Sequence, residues 1–214
     1  MIFRDRRVAG EQLATRLQFL ADQPDVIVLG IPRGGVVVAA EVARALNVSL
    51  DVFIARKLGA PVNPELAIGA VTSTGDVFID DEIVHELRIP KEIIDREVED
   101  QRKEIERRLS MYRPDRPPLD VKNKTVVLID DGIATGSTVL ASLRSLHKQA
   151  PTKLILAVPV APAETMKRLE QECDQAIVLA TPEPFLAVGR FYLMFDQTSD
   201  EEVVALLADS NLRR

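Results

Sequence analysis

VVLIDDGIATGST, residues Val126–Thr138, decides how this chain reads. Val126 to Ile129 form a short, unbroken apolar run of the kind that makes a strand buried on both faces. Asp130 and Asp131 end the run, and small or hydroxyl-bearing residues follow, Gly132 through Thr138. A helical pattern, STVLASLRSLHKQ, then begins at Ser137. The N–H groups at a helix N-terminus lack partners and carry partial positive charge, so the loop suits an anion. Gly132 and Gly136 let backbone come close to a ligand. Thr135, Ser137 and Thr138 add hydroxyl donors.

The spacing is not that of a nucleoside-triphosphate P-loop. That pattern has four residues between its glycines and Lys after the second. Here three residues intervene, and Ser137 stands where Lys would be. The dinucleotide fingerprint does not match either. Two carboxylates beside an anion site need something else to face: hydroxyls, a metal ion or a developing positive charge. A ribose 5-phosphate meets both demands, with its phosphate in the loop and its 2- and 3-hydroxyls on Asp130 and Asp131. Negative charge there also stabilises a cation forming at the anomeric carbon.

Outward from this unit, strands alternate with helices. Val26–Ile31, Leu50–Arg56, Thr125–Ile129, Lys153–Val160 and residues 175–182 read as strands. Val36–Asn47, residues 137–149 and residues 162–172 read as helices, preceded by a helix over residues 11–22 with Leu13, Leu17 and Leu20 on one face. A closing helix starts with Ser199 as N-cap and Glu202 three residues on. Right-handed crossovers then give an α/β fold, a central parallel sheet flanked by helices. Lys57–Glu65 reads as a loop, and residues 66–80 as a hairpin turning near Gly75-Asp76. Residues 90–113 form a long charged helix with a narrow stripe of Ile94, Val98, Ile105 and Leu109, followed by a Pro-rich linker. Residues 182–195 are irregular or extended. The loops Pro32–Gly35, Lys57–Glu65 and Asp130–Thr138 all follow strands and are expected to meet at one rim.

VVLIDDGIATGST resembles the phosphoribosyl-pyrophosphate motif of the type I phosphoribosyltransferases. GIPRGGVVVA, residues 30–39, is similar to that family's pyrophosphate loop: Arg33 offers a fork of donors, and Gly34 and Gly35 offer N–H groups. The family's loop often holds a cis non-proline peptide, expected here at Arg33–Gly34. ARKLGAP resembles a second pyrophosphate contact, with Arg56 and Lys57 as candidates and strand alternation aiming only one inward.

The resemblance implies one domain over residues 1–214: a core of about 20–180, a hairpin and helical lid of about 60–120, and a small C-terminal hood of about 180–214. It implies Mg2+-dependent transfer of a phosphoribosyl group from phosphoribosyl pyrophosphate to a nitrogen acceptor. Asp130, Asp131 and Lys57 would be catalytic. Arg33, Gly34, Gly35, Arg56, Gly132, Ile133, Ala134, Thr135, Gly136, Ser137 and Thr138 would bind substrate. Asp130 and Asp131 would hold the metal directly or through ribose hydroxyls and water. Phe191 or Tyr192 would stack on the acceptor, with core packing as the other reading. Arg102 or Lys103 would reach the pyrophosphate from the lid, unless the helix face is only solvated or serves as a homodimer arm. The 6-oxopurine enzymes carry Asp where this chain has Ala134, which weighs against hypoxanthine and guanine. A non-catalytic sensor of phosphoribosyl pyrophosphate is the alternative.

Composition narrows the partners. A net charge of −6 with no basic cluster argues against nucleic acid. No apolar run approaches the roughly 18 residues of a membrane span. A single cysteine, Cys173, cannot form an internal disulfide and suits the cytoplasm. Asp81 with His85 makes a poor two-ligand metal site, and His147 and Cys173 lack partners in sequence. A polar residue of Asn63–Glu65 on the rim would be placed to read the acceptor.

Overall fold

The apolar runs become a five-stranded parallel sheet whose three central strands are buried on both faces. The computed structural model describes residues 2–114 and 116–212. In chain order its elements are α1 (Arg6–Thr15), β1 (Val26–Gly30), α2 (Gly34–Leu46), β2 (Ser49–Val52), β3 (Ala55–Ala60), β4 (Asn63–Thr72), β5 (Val77–Ile79) and α3 (Asp81–Glu86). Then follow α4 (Lys91–Tyr112), β6 (Thr125–Ile129), α5 (Ser137–His147), β7 (Lys153–Val160), α6 (Ala163–Leu169), β8 (Gln175–Ala180) and α7 (Asp200–Leu212). No helix among the described residues is long and apolar enough to cross a membrane.

Strand order is β2-β1-β6-β7-β8, all parallel. Side chains alternate between two cores. Val26 and Val28 of β1 and Val127 and Ile129 of β6 face one, while Ile27, Leu29, Val126 and Leu128 face the other. Each such side chain contributes about 1.5–3 kcal/mol by leaving water. The order reverses between β1 and β6, where sheets of this kind leave a crevice beyond the strand ends. Gly30 is in register with Ile129, so the loops after both strands leave the sheet side by side.

Three boundaries differ from the sequence reading. The first helix spans Arg6–Thr15 rather than residues 11–22, with a separate 3-10 turn at Gln18–Leu20, because Asp5 caps it early. Leu50–Arg56 is not one strand: β2 ends at Val52, and β3 begins at Ala55 in a separate antiparallel sheet, β3-β4-β5. β2 is an edge strand, so the chain can peel away, with Phe53 and Ile54 buried in opposite cores. Lys57–Glu65 is mostly strand rather than loop. Its Gly and Pro mark an irregularity instead: the β3–β4 register shifts at Gly59, where a Cβ would lie 2.8 Å from the Pro64 carbonyl oxygen. Asn63 and Pro64 open β4 and are exposed, while the Glu65 side chain lies outside the described residues.

The hairpin does turn at Gly75-Asp76, with φ +89° at Gly75. Asp76 fastens it to α5, accepting from Ser145 Oγ at 2.6 Å and Lys148 Nζ at 2.7 Å. The stripe of α4 is buried at Val98, Ile105 and Tyr112, against β3, β4 and α7. The chain after α4 is tied to β2. Arg113 donates from Nε and Nη2 to Asp51, both at 3.0 Å, and Arg116 Nη1 lies 3.3 Å away. Removing one partner of so enclosed a cluster strands the others' charge. Asp51→Ala is expected to cost about 3–5 kcal/mol, read as a lowered urea midpoint with unchanged slope.

Candidate active site at the sheet's switch point

The two loops that leave the sheet together touch. Ile31 N–H donates to the Ile129 carbonyl at 2.9 Å, extending the pairing past the strand ends. A Cβ on Gly34 would lie 2.0 Å from Asp131 Oδ2, and one on Gly35 would lie 2.9 Å from Asp130 Cα. Only glycine at both positions lets the Arg33 loop press against the acid pair. The cis peptide falls at Pro32–Arg33, one bond before the expected Arg33–Gly34. Gly34 already opens α2, so the chain reverses before it.

A cavity of about 390 Å³ opens over this junction, lined by Pro32, Arg33, Gly34, Arg56, Lys57, Asp130, Asp131 and Thr138 among others. Both basic residues of β3 reach it, whereas strand alternation predicted one. The reason is that β3 is an edge strand, and the cavity runs along that edge past Ala55, Arg56 and Lys57. Arg56 is held from α4, donating Nε to Gln101 Oε1 at 2.7 Å. Burial, and the charge of Arg108, lower its pKa from the ordinary arginine value. Arg33 Nη1 lies 3.9 Å from Asp200 Oδ1, an acid that also accepts from Tyr112 and Arg107.

The two aspartates sit in different surroundings. Asp130 Oδ1 accepts from the Asp131 N–H at 2.8 Å, and Asp130 forms no ion pair among the described residues. Burial and the neighbouring Asp131 charge push its carboxyl well above the usual range. Asp131 Oδ2 accepts from Arg6 Nε at 2.7 Å, and its carbonyl accepts from the Tyr192 hydroxyl at 2.5 Å. Burial raises Asp131 as well, opposed by Arg6.

Beyond the acids, Ile133 is buried and its N–H donates to the Val160 carbonyl at 2.9 Å. Gly132 packs against the hood, where a Cβ would lie 2.5 Å from Val188 Cγ1. Ala134 and Thr135 are exposed, with their carbonyls accepting from Thr165 Oγ1 at 3.0 Å and from Arg168. Gly136, at φ +79°, precedes the first turn of α5. Thr138 lines the cavity over the acids, whereas Ser137 lines a neighbouring cavity of about 320 Å³ with Arg144 and Arg168.

Residues 7–182 match the family model described as the phosphoribosyl transferase domain. This chain belongs to that family. It is 42% identical over 206 residues to the Mycobacterium tuberculosis H37Rv protein named "Putative phosphoribosyl transferase Rv0571c", covering 96% of this chain and 46% of that one. The CDC 1551 counterpart matches equally. The chain thus spans about half the length of these curated relatives. The crystal structure of TT1426 from Thermus thermophilus is 42% identical, with a TM-score of 0.82 over 98% of this chain and 99% of that one. AQ2163 from Aquifex aeolicus, at 14% identity and a TM-score of 0.53 over 86% and 78% of the two chains, shares the fold.

Within this phosphoribosyl transferase domain, several expected site residues lie elsewhere. Arg102 donates to the Gly75 carbonyl at 3.4 Å, and Lys103 pairs with Glu99 and Asp100 of its own helix. Neither lines the cavity, because α4 turns them toward the hairpin and solvent. The Tyr192 ring is buried against Phe3 and Phe195, with centroids 5.5 and 5.0 Å away, and its hydroxyl is spent on Asp131. Phe191 packs on Phe185 at 5.0 Å.

Sequence reasoning passed over the N-terminal segment. Phe3 pairs with the hood, donating to the Phe191 carbonyl at 2.8 Å and accepting from Leu193 N–H at 2.9 Å. Asp5 caps α1, its Oδ1 accepting from Val8 N–H at 2.9 Å, which places Arg6 in the first turn over Asp131. That cap was a readable signal for a helix starting before residue 11. Thr165 and Arg168, which brace the loop carbonyls, had no signal, since only the folded chain brings α6 there.

Proposed function

We propose that the chain transfers a 5-phosphoribosyl group from phosphoribosyl pyrophosphate to a nitrogen acceptor other than a 6-oxopurine, releasing pyrophosphate. The observation that carries this reading is the cavity that joins Arg33, Arg56 and Lys57 to Asp130, Asp131 and Thr138. Cations suit the pyrophosphate, the acids suit ribose hydroxyls, and the α5 N-terminus suits the 5-phosphate. The bond from the anomeric carbon to pyrophosphate breaks, with its electron pair leaving on oxygen. Arg33, Arg56 and Lys57 stabilise that charge, and Asp130 and Asp131 stabilise the cationic sugar. The acceptor nitrogen then forms the new bond to carbon and gives up its proton.

Among the described residues, no three His, Cys, Asp or Glu side chains gather into a metal cage. Asp130 and Asp131 offer hard oxygen donors only. That set suits an ion which keeps its waters and takes substrate oxygens as further ligands, as Mg2+ does. When bound, it supplies charge neutralisation to the pyrophosphate. Ala134 leaves no carboxylate for the ring nitrogen of hypoxanthine or guanine.

The test is pyrophosphate release from phosphoribosyl pyrophosphate and Mg2+ across a panel of nucleobases and other nitrogen acceptors. Release with one acceptor class and none with hypoxanthine or guanine is the expected result. Tight ligand binding with no release from any acceptor would make the protein a sensor instead.

A further inference from the structure

Arg6 belongs to none of the motifs that define the cavity, yet its guanidinium joins the acid pair to the hood. Nε donates to Asp131 Oδ2 at 2.7 Å. Nη1 donates to the Asp196 carbonyl in the hood at 2.8 Å. The guanidinium carbon lies 3.8 Å from the centroid of the Phe195 ring. The Arg6 and Asp131 side chains are only 12% and 15% exposed, so the pair is not one of the solvated surface contacts worth little. Gly34 closes over it: a Cβ there would lie 2.6 Å from Arg6 Nε.

The planar fork of an arginine fixes direction as well as charge. With Oδ2 committed to Arg6, the Asp131 carboxylate is held in one orientation beside Asp130. Asp130 has no such partner among the described residues, so the two adjacent acids are not equivalent.

We infer that Arg6 is a positioning residue: it sets the Asp131 carboxylate for the ribose hydroxyls and ties that setting to the hood through Asp196 and Phe195. The inference rests on the phosphoribosyl-pyrophosphate reading above. A residue that only strutted the N-terminus would make the same contacts, but it would not act through Asp131.

A double-mutant cycle separates the two roles. Binding of phosphoribosyl pyrophosphate with Mg2+ is measured by calorimetry on the wild type, Arg6→Gln, Asp131→Asn and the double variant. Arg6→Gln is expected to weaken binding on the order of tenfold to a hundredfold, the usual cost of removing an outer-shell partner. In the Asp131→Asn background the same change should add no further loss. Arg6→Lys, which keeps charge without the fork, should fall between and carries the cycle if Arg6→Gln does not fold. Equal affinity of wild type and Arg6→Gln, or losses that simply add, would overturn the inference and leave the function reading intact. A wild type that does not bind the ligand at all would overturn the function reading first and this inference with it.

Discussion

Asp130→Asn is expected to slow pyrophosphate release on the order of 10²–10³-fold while the protein melts no lower than the wild type. The rate should fall because a neutral amide brings no negative charge to a cationic sugar or to a hard metal ion. Stability should hold because the charge removed has no ion pair among the described residues. Burial and the Asp131 charge already disfavour ionised Asp130, so folding works against that charge at neutral pH. Asparagine is nearly the same shape, and its carbonyl oxygen can still accept from the Asp131 N–H. Asp131→Asn should behave differently, since it strands the Arg6 guanidinium in an enclosed site. Melting curves of the two variants should therefore separate, with Asp131→Asn the lower. Coincident curves would show that the acids share one environment, against the geometry of Arg6.

How much of this was readable depended on the range of the interaction. The parallel strands were legible because burial on both faces writes a continuous apolar run, as in Thr125–Ile129 and Lys153–Val160. The strand–loop–helix around Asp130 to Thr138 was legible because an apolar run ends in two carboxylates and small residues lead into a helical pattern. The α4 stripe showed that one face is covered, but not that β3, β4 and α7 cover it. Glycine and proline in residues 59–64 were ambiguous, since the same residues make loops and strand irregularities. Arg6 and Asp131 stand 125 positions apart, and no local pattern marks that pairing. The same holds for Asp51 with Arg113 and for Phe3 with the hood. Sequence thus exposed the strands and loops whose ends line the cavity and hid what holds those residues in place.

Gly34→Ala should weaken binding of phosphoribosyl pyrophosphate at least tenfold and lower the melting temperature, since it opens the same Arg6–Asp131 pair that Asp131→Asn removes. The added methyl would lie 2.0 Å from Asp131 Oδ2, 2.6 Å from Arg6 Nε and 2.8 Å from Asp131 Cγ. Those distances are far inside contact, so the carboxylate must rotate away and the ion pair must open. The local backbone conformation itself admits alanine, because Gly34 opens α2 and its φ does not lie in the left-handed region. Gly35→Ala is the comparison with the larger structural cost. Its methyl meets the backbone, Asp130 Cα at 2.9 Å and the Ile129 carbonyl oxygen at 3.0 Å, so it should disturb the end of β6 and lower the melting temperature as well. Calorimetry and thermal melts on both variants read the difference. A Gly34→Ala protein that binds the ligand as tightly as the wild type would remove Asp131 from the sugar subsite, since that methyl and the present carboxylate position cannot coexist.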